Sequence, residues 1–259
     1  GMRYAVVVFR TRRKIELCGT DANVTIFATD QSRLSATAIF RHRCRQYAHP
    51  NRQIKIKEID MKTPFRLQAS NFDCVPTSFV NAIVYLFNRN EIPPLVLQRV
   101  YMLSLDCMFH NREHGEGTSD LAIRYIAQWL TEFKSNKFKS FRVEADYLEG
   151  DRLQLGPGNK LVECLNSNGV GVVSVRHFNN KWHEITLLKS EDRWLYAFDP
   201  YPYPEKKNRP GCYEFISNSD PMKPNLRIHY DWIDAASDAY AFRFGTKSNR
   251  AGVIIKRKI

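Results

Sequence analysis

Three short runs in the second half of the chain restrict its fold more than anything else in it. "GVVSVRHF" (171–178), "WHEITLLKS" (182–190) and "RWLYAFDP" (193–200) are rich in β-branched, aliphatic and aromatic residues, which suit a pleated sheet surface. Turns at Asn179-Asn180 and Glu191-Asp192 separate them. Strands joined so tightly lie side by side and antiparallel, because a parallel pair needs a crossover of a dozen or more residues. "AYAFRFG" (239–245) and "GVIIKRKI" (252–259) read as two further strands.

The segment ahead of these strands has helical periodicity instead. Pro76 suits the first turn of a helix, where its missing N–H has no intrahelical partner to lose. Phe79, Ile83, Leu86 and Phe87 then recur at helical spacing, and Asn90 with Pro93-Pro94 stops the run. A second helix is expected over about 95–108. A third is expected over "LAIRYIAQWLTEF", capped by Thr118 or Ser119. Helices followed by an antiparallel sheet make an α+β domain over residues 62–259. Residues 1–61 read as a separate small α+β unit, with strands at 3–9, 23–29 and 53–59 and an amphipathic helix at 32–48.

At 259 residues with 43% hydrophobic content the chain has material for a sizeable core. The apolar run from Ala5 to Phe9 is too short for a signal-peptide core, and no run is long enough to span a membrane. Six cysteines are spread without a Cys-x-x-Cys pair, as expected of reduced thiols in a cytoplasmic protein. The net charge of +12 steers anions and points to an acidic partner or substrate. Its basic clusters lack the spacing of a nucleic-acid-binding module, so nucleic acid is not the expected partner.

The chemistry concentrates in "RLQASNFDCVPTSF" (66–79). Cys74 falls at or just before a helix start, where free N–H groups and the helix dipole favour a thiolate. A nucleophile there needs a base and a group to orient that base. His183, near the start of one strand, and Asp199, just past the end of the next, lie side by side in an antiparallel pair. An oxyanion needs donors, and the Gln68 amide and the Cys74 N–H are available for that role.

Gln68, "DCVPTS" at 73–78, His183 and Asp199-Pro200 together resemble papain-like cysteine peptidases, and within them the bacteriocin-processing, double-glycine leader peptidases. The resemblance spans roughly residues 62–200. It implies a helical subdomain carrying the nucleophile, packed on an antiparallel sheet that carries His and Asp. It further implies Cys74 as nucleophile, His183 as general base and acid, Asp199 as orienting group and Gln68 as oxyanion donor. Val75 and Trp182 stand where that family often has glycine, so the substrate groove is expected to differ in shape. The implied activity is hydrolysis of a peptide amide bond in a peptide or protein substrate, with no cofactor and no metal.

Plainer readings stand beside these. Asp199 also suits the turn "DPYPYP", and His177 competes with His183 as base but reads as a strand histidine. Trp182, Trp194, Tyr196, Tyr201 and Tyr203 read as sheet core and groove wall. His110, Glu113, His114 and Glu116 do not have zinc-protease spacing and read as a polar loop. Cys107, Cys164 and Cys212 read as packing residues. Two other functions remain open: acyl transfer of the transglutaminase type on the same thioester, and a non-catalytic module that binds peptide or nucleic acid.

Overall fold

The computed structural model describes residues 62–105, 117–179, 181–217 and 220–258. The expectations for residues 1–61, for Cys107 and for the loop holding His110 and His114 lie outside the described residues.

Helix α1 (Cys74–Leu86) is almost wholly apolar and is buried on every side except at Tyr85. A helix of that kind has to sit between other layers. Helices α2 (Pro94–Ser104) and α3 (Asp120–Glu132) cover one side of it, through Val96, Val100, Ile123, Ile126 and Leu130. The Ser119 hydroxyl caps α3, accepting the Ala122 N–H at 3.1 Å. The other side of α1 lies on a sheet.

That sheet has seven strands, in the order β1 (Val143–Glu149), β7 (Ala251–Arg257), β2 (Val170–Arg176), β3 (Trp182–Glu191), β4 (Trp194–Phe198), β6 (Leu226–His229) and β5 (Tyr213–Phe215). Every pairing is antiparallel. The central strand β2 is buried on both faces along nearly its whole length, which accounts for its unbroken apolar run. Val170, Val172 and Leu188 face the α1 layer. Val173, Val175, Ile185 and Leu187 face a second core closed by helix α4 (Lys160–Asn166), the short helix α5 (Tyr230–Ile233), Phe242 and Phe244. The result is three layers around two cores.

The central meander follows the sequence reading, with one shift. Strand β3 runs through Glu191, and the turn falls on Asp192 and Arg193, both at positive φ (50° and 63°). Two left-handed residues give the turn the twist that a two-residue hairpin requires.

The expected strand at 239–245 is not formed. Phe242 has φ +60° and Gly245 φ +80°, so the segment bends instead of extending. It still makes two backbone bonds to β2, Phe242 N–H to Arg176 O at 2.7 Å and Arg176 N–H to Arg243 O at 2.9 Å. The bend drops Phe242 and Phe244 into the second core.

Phe79 lies at the middle of the α1–sheet contact with no exposed surface. Phe79→Ala is expected to lower the unfolding free energy by about 3–5 kcal/mol, measured as a shift of the urea midpoint. A shift under about 1 kcal/mol would mean that the site can collapse without loss.

Candidate active site

The segment leading into α1 is fixed from two directions. The buried Asn81 side chain accepts the Arg66 N–H at 2.8 Å and donates to Arg66 O at 3.0 Å. Two residues on, the Gln68 N–H donates to Pro200 O at 2.9 Å. Asp73 then closes the turn before the helix, accepting the Ala69 N–H (2.9 Å), the Ser70 N–H (2.7 Å) and the Ser70 hydroxyl (2.8 Å). This holds Gln68 beside Asp199-Pro200 and puts Cys74 on the first residue of α1. Burial opposes ionisation of Asp73, but the hydrogen bonds from Ala69 and Ser70 outweigh it and hold the carboxyl below its ordinary value.

Two consecutive residues of β3 carry the opposite side of the site. Strand alternation sends them to opposite faces. His183 pairs in register with Val175, and Glu184 with Ser174. His183 is buried, and its Nε2 lies 2.7 Å from Asp199 Oδ1, so Nδ1 is the ring nitrogen left for another partner. Asp199 is held in turn by several groups. Its Oδ2 accepts the Tyr203 hydroxyl at 2.8 Å, its Oδ1 accepts the Tyr201 N–H at 2.8 Å, and the Asn225 side chain bonds both its N–H and its C=O at 2.8 Å. Asp199 therefore closes its own turn and meets His183 with the same carboxyl group.

Glu184 faces α1. The Cys74 thiol donates to its Oε2 at 2.9 Å, the Ser174 hydroxyl donates to its Oε1 at 3.0 Å, and the Ser78 hydroxyl donates to its backbone carbonyl at 2.9 Å. Among the described residues, Cys74 has its hydrogen bond with Glu184 and His183 has its own with Asp199. The two halves of the site are neighbours through adjacent residues of one strand, and no hydrogen bond joins the thiol to the imidazole.

The electrostatics of the two halves differ. Burial works against the His183 imidazolium, but the charge and hydrogen bond of Asp199 outweigh it and raise the ring above its ordinary value. Burial, then the Glu184 carboxyl, push the Cys74 thiol well above its ordinary value. This reverses the expectation of a helix-start thiolate, because burial and a neighbouring carboxylate outweigh what one helix end supplies. Glu184 is itself raised by burial. The Cys164 thiol, buried in the second core, is pushed up to about 11 by burial.

Gln68 is buried, with Nε2 donating to Ser70 O at 2.7 Å and Oε1 without a partner. The second amide hydrogen remains for another acceptor. His177 joins the site as well, its ring 5.3 Å from that of His183, 4.6 Å from Tyr201 and stacked on Tyr203 at 5.5 Å. Burial, then the charge of His183, lower its value. Its Nε2 is buried without a partner.

Sequence reasoning missed Glu184, Ser174 and Asn225. Glu184 alternates with Thr186 along β3, a pattern that reads as a solvent face. Both side chains lie under α1 instead.

No protein-family model matches the chain, and no curated protein matches it. Among solved structures it is similar to a crystal structure of a double glycine motif protease from an AMS/PCAT transporter in complex with the leader peptide. The identity is 16%, the TM-score 0.37, and the alignment covers 80% of this chain and 100% of that one.

Asp73→Ala tests the turn that holds the helix start. Its folded value lies below the model-peptide 3.8, so its ionised hydrogen bonds stabilise the fold above pH 3.8 and are lost as pH falls through the folded value. The variant is expected to be less stable by about 1 kcal/mol at neutral pH, with the gap closing in acid. Urea unfolding at several pH values reads this, and a gap that persists unchanged in strong acid would refute the charge dependence.

Proposed function

We propose that residues 62–259 form a papain-like thiol hydrolase, a cysteine peptidase acting on peptide amide bonds, with residues 1–61 as a separate unit. The reading is carried by one convergence. Segments 68–74, 183–184 and 199–200, far apart in the chain, meet at a helix start, where a buried His183–Asp199 pair at 2.7 Å adjoins the hydrogen-bond partner of Cys74. In this reading the Cys74 sulfur attacks the carbonyl carbon while His183 Nδ1 takes the thiol proton. The Cys74 N–H, which has no intrahelical partner at that position, and the free Gln68 amide hydrogen donate to the oxyanion. His183 then protonates the leaving amine, and water releases the acyl group. Leu67, Phe72, Phe178 and Trp182, which neighbour the site residues in sequence, are all exposed, and suit apolar side chains of a peptide. Free Cys74, Cys164 and Cys212 fit a reducing, cytoplasmic setting.

A second reading rests on the raised Cys74 thiol. A sulfur kept protonated by burial and Glu184 suits a peptide-binding module on the same scaffold, without turnover.

Peptide-library hydrolysis with mass-spectrometric trapping of an acyl-enzyme separates the two. Under the hydrolase reading Cys74→Ala abolishes turnover with an unchanged urea midpoint, and His183→Ala lowers kcat/KM by about 10²–10⁴-fold. Gln68→Ala is expected to lower kcat by about 10²–10³-fold. Hydrolysis retained by Cys74→Ala would sink the reading. Peptide binding that is unaffected by Cys74→Ala, with no acyl-enzyme formed, would establish the binding module.

A further inference from the structure

We propose that Glu184 is a positioning residue that holds Cys74 as a hydrogen-bonded thiol, and that this bond must break before the sulfur can attack. The inference rests on the reading of Cys74 as nucleophile and adds a restraint to it. Its basis is geometric. Glu184 sits on a central strand, 7% exposed, at a position where its register partner Ser174 and its neighbour Thr186 are also buried under α1. A carboxyl group in such a place costs stability unless its oxygens are paired. Each of its oxygens has one partner: Oε1 takes the Ser174 hydroxyl at 3.0 Å and Oε2 takes the Cys74 thiol at 2.9 Å.

The thiol is therefore one of two groups that satisfy the buried carboxyl. Rotating the sulfur toward His183 would leave Oε2 without a partner, and ionising it in place would set two anions 2.9 Å apart. Both are opposed in a dry site. The titratable and charged groups that face Glu184 are Cys74 on α1, His183 beside it on β3 and, at longer range, Asp120 at the start of α3; the Ser174 hydroxyl faces it from β2. His183 favours the carboxylate and Asp120 opposes it. In the covalent step the S–H bond breaks, its proton passes to His183 Nδ1, and the sulfur lone pair forms the S–C bond. Glu184 keeps its proton count throughout, so its part is to restrain the thiol and not to act as the base.

The test is the rate of Cys74 alkylation by iodoacetamide as a function of pH, peptide by peptide, in the full chain. Glu184→Gln keeps the shape and the Ser174 contact but removes the charge. It is expected to move the alkylation midpoint of Cys74 down by at least about one pH unit and to raise the rate at neutral pH about tenfold. Cys164 serves as an internal control whose rate stays unchanged. If Glu184→Gln does not fold, as judged by its urea midpoint, Glu184→Asp draws the carboxyl back from the sulfur and is expected to shift the profile in the same direction by less. An unchanged profile would overturn the restraint, and a slower Cys74 would overturn it by making Glu184 the base. Peptide turnover is read in parallel. A faster Cys74 in Glu184→Gln that is indifferent to an added His183→Ala, with no turnover, would leave the restraint standing and remove the hydrolase reading. Turnover by the wild type with an unshifted Glu184→Gln profile would do the reverse.

Discussion

The contact between α1 and strand β3 is what everything else in the described chain depends on. It is apolar at its centre, where Phe79 and Ile83 are sealed from solvent, and polar along one line. There the Ser78 hydroxyl donates to Glu184 O at 2.9 Å and the Thr186 hydroxyl donates back to Ser78 O at 3.0 Å. Apolar burial gives the helix its place but not its register, because hydrophobic contact is not directional. The reciprocal Ser78 and Thr186 bonds supply direction, and they put the first residue of the helix opposite the second and third residues of the strand. Cys74 meets Glu184 as a consequence of that register.

The second dependence is on chain reversal. His183 and Asp199 belong to adjacent antiparallel strands joined by a tight turn, so their proximity follows from the hairpin alone. Asn225, from the segment entering β6, then pins the Asp199 backbone with two bonds at 2.8 Å, and Tyr203 takes the second carboxylate oxygen. A buried carboxylate with three side-chain partners and one backbone partner is a fixed electrostatic feature. Its effect is concentrated on the His183 ring.

These two dependences explain how much of the molecule was legible in the sequence. The meander, α1 and α3 follow from local pattern, since short turns, a helix-start proline and a serine cap act within a few residues. The His183–Asp199 pairing was legible for the same reason, being one hairpin wide. What failed depends on contacts between distant segments. Segment 239–245 has strand-like composition, yet Phe242 adopts φ +60° so that its ring can fill the second core, and tertiary packing overrides β-propensity there. Strands β1, β5 and β6 are short or carry many polar residues, and they are specified by the neighbours they pair with. Glu184 was misread because alternating polar residues mark a face without saying what covers it. Only the position of α1 decides that the face is dry.

A carboxyl group beside each half of the site gives the chemistry its tension. Asp199 favours the imidazolium, and so favours the cationic half of a thiolate–imidazolium pair. Glu184, with burial, disfavours the anionic half. The two effects fall on adjacent residues of one strand and face opposite sides of the sheet, so neither can be altered by shifting the strand without altering the other. A helix N-terminus is worth about 0.3–1 kcal/mol to a nearby anion at the surface, less than the several kcal/mol by which burial beside a carboxylate opposes a thiolate. The dipole of α1 alone therefore cannot complete the pair. The missing favourable term has to come from what enters the site: a carbonyl group that accepts the sulfur directly removes the need for a free thiolate, because attack and proton transfer to His183 then occur together.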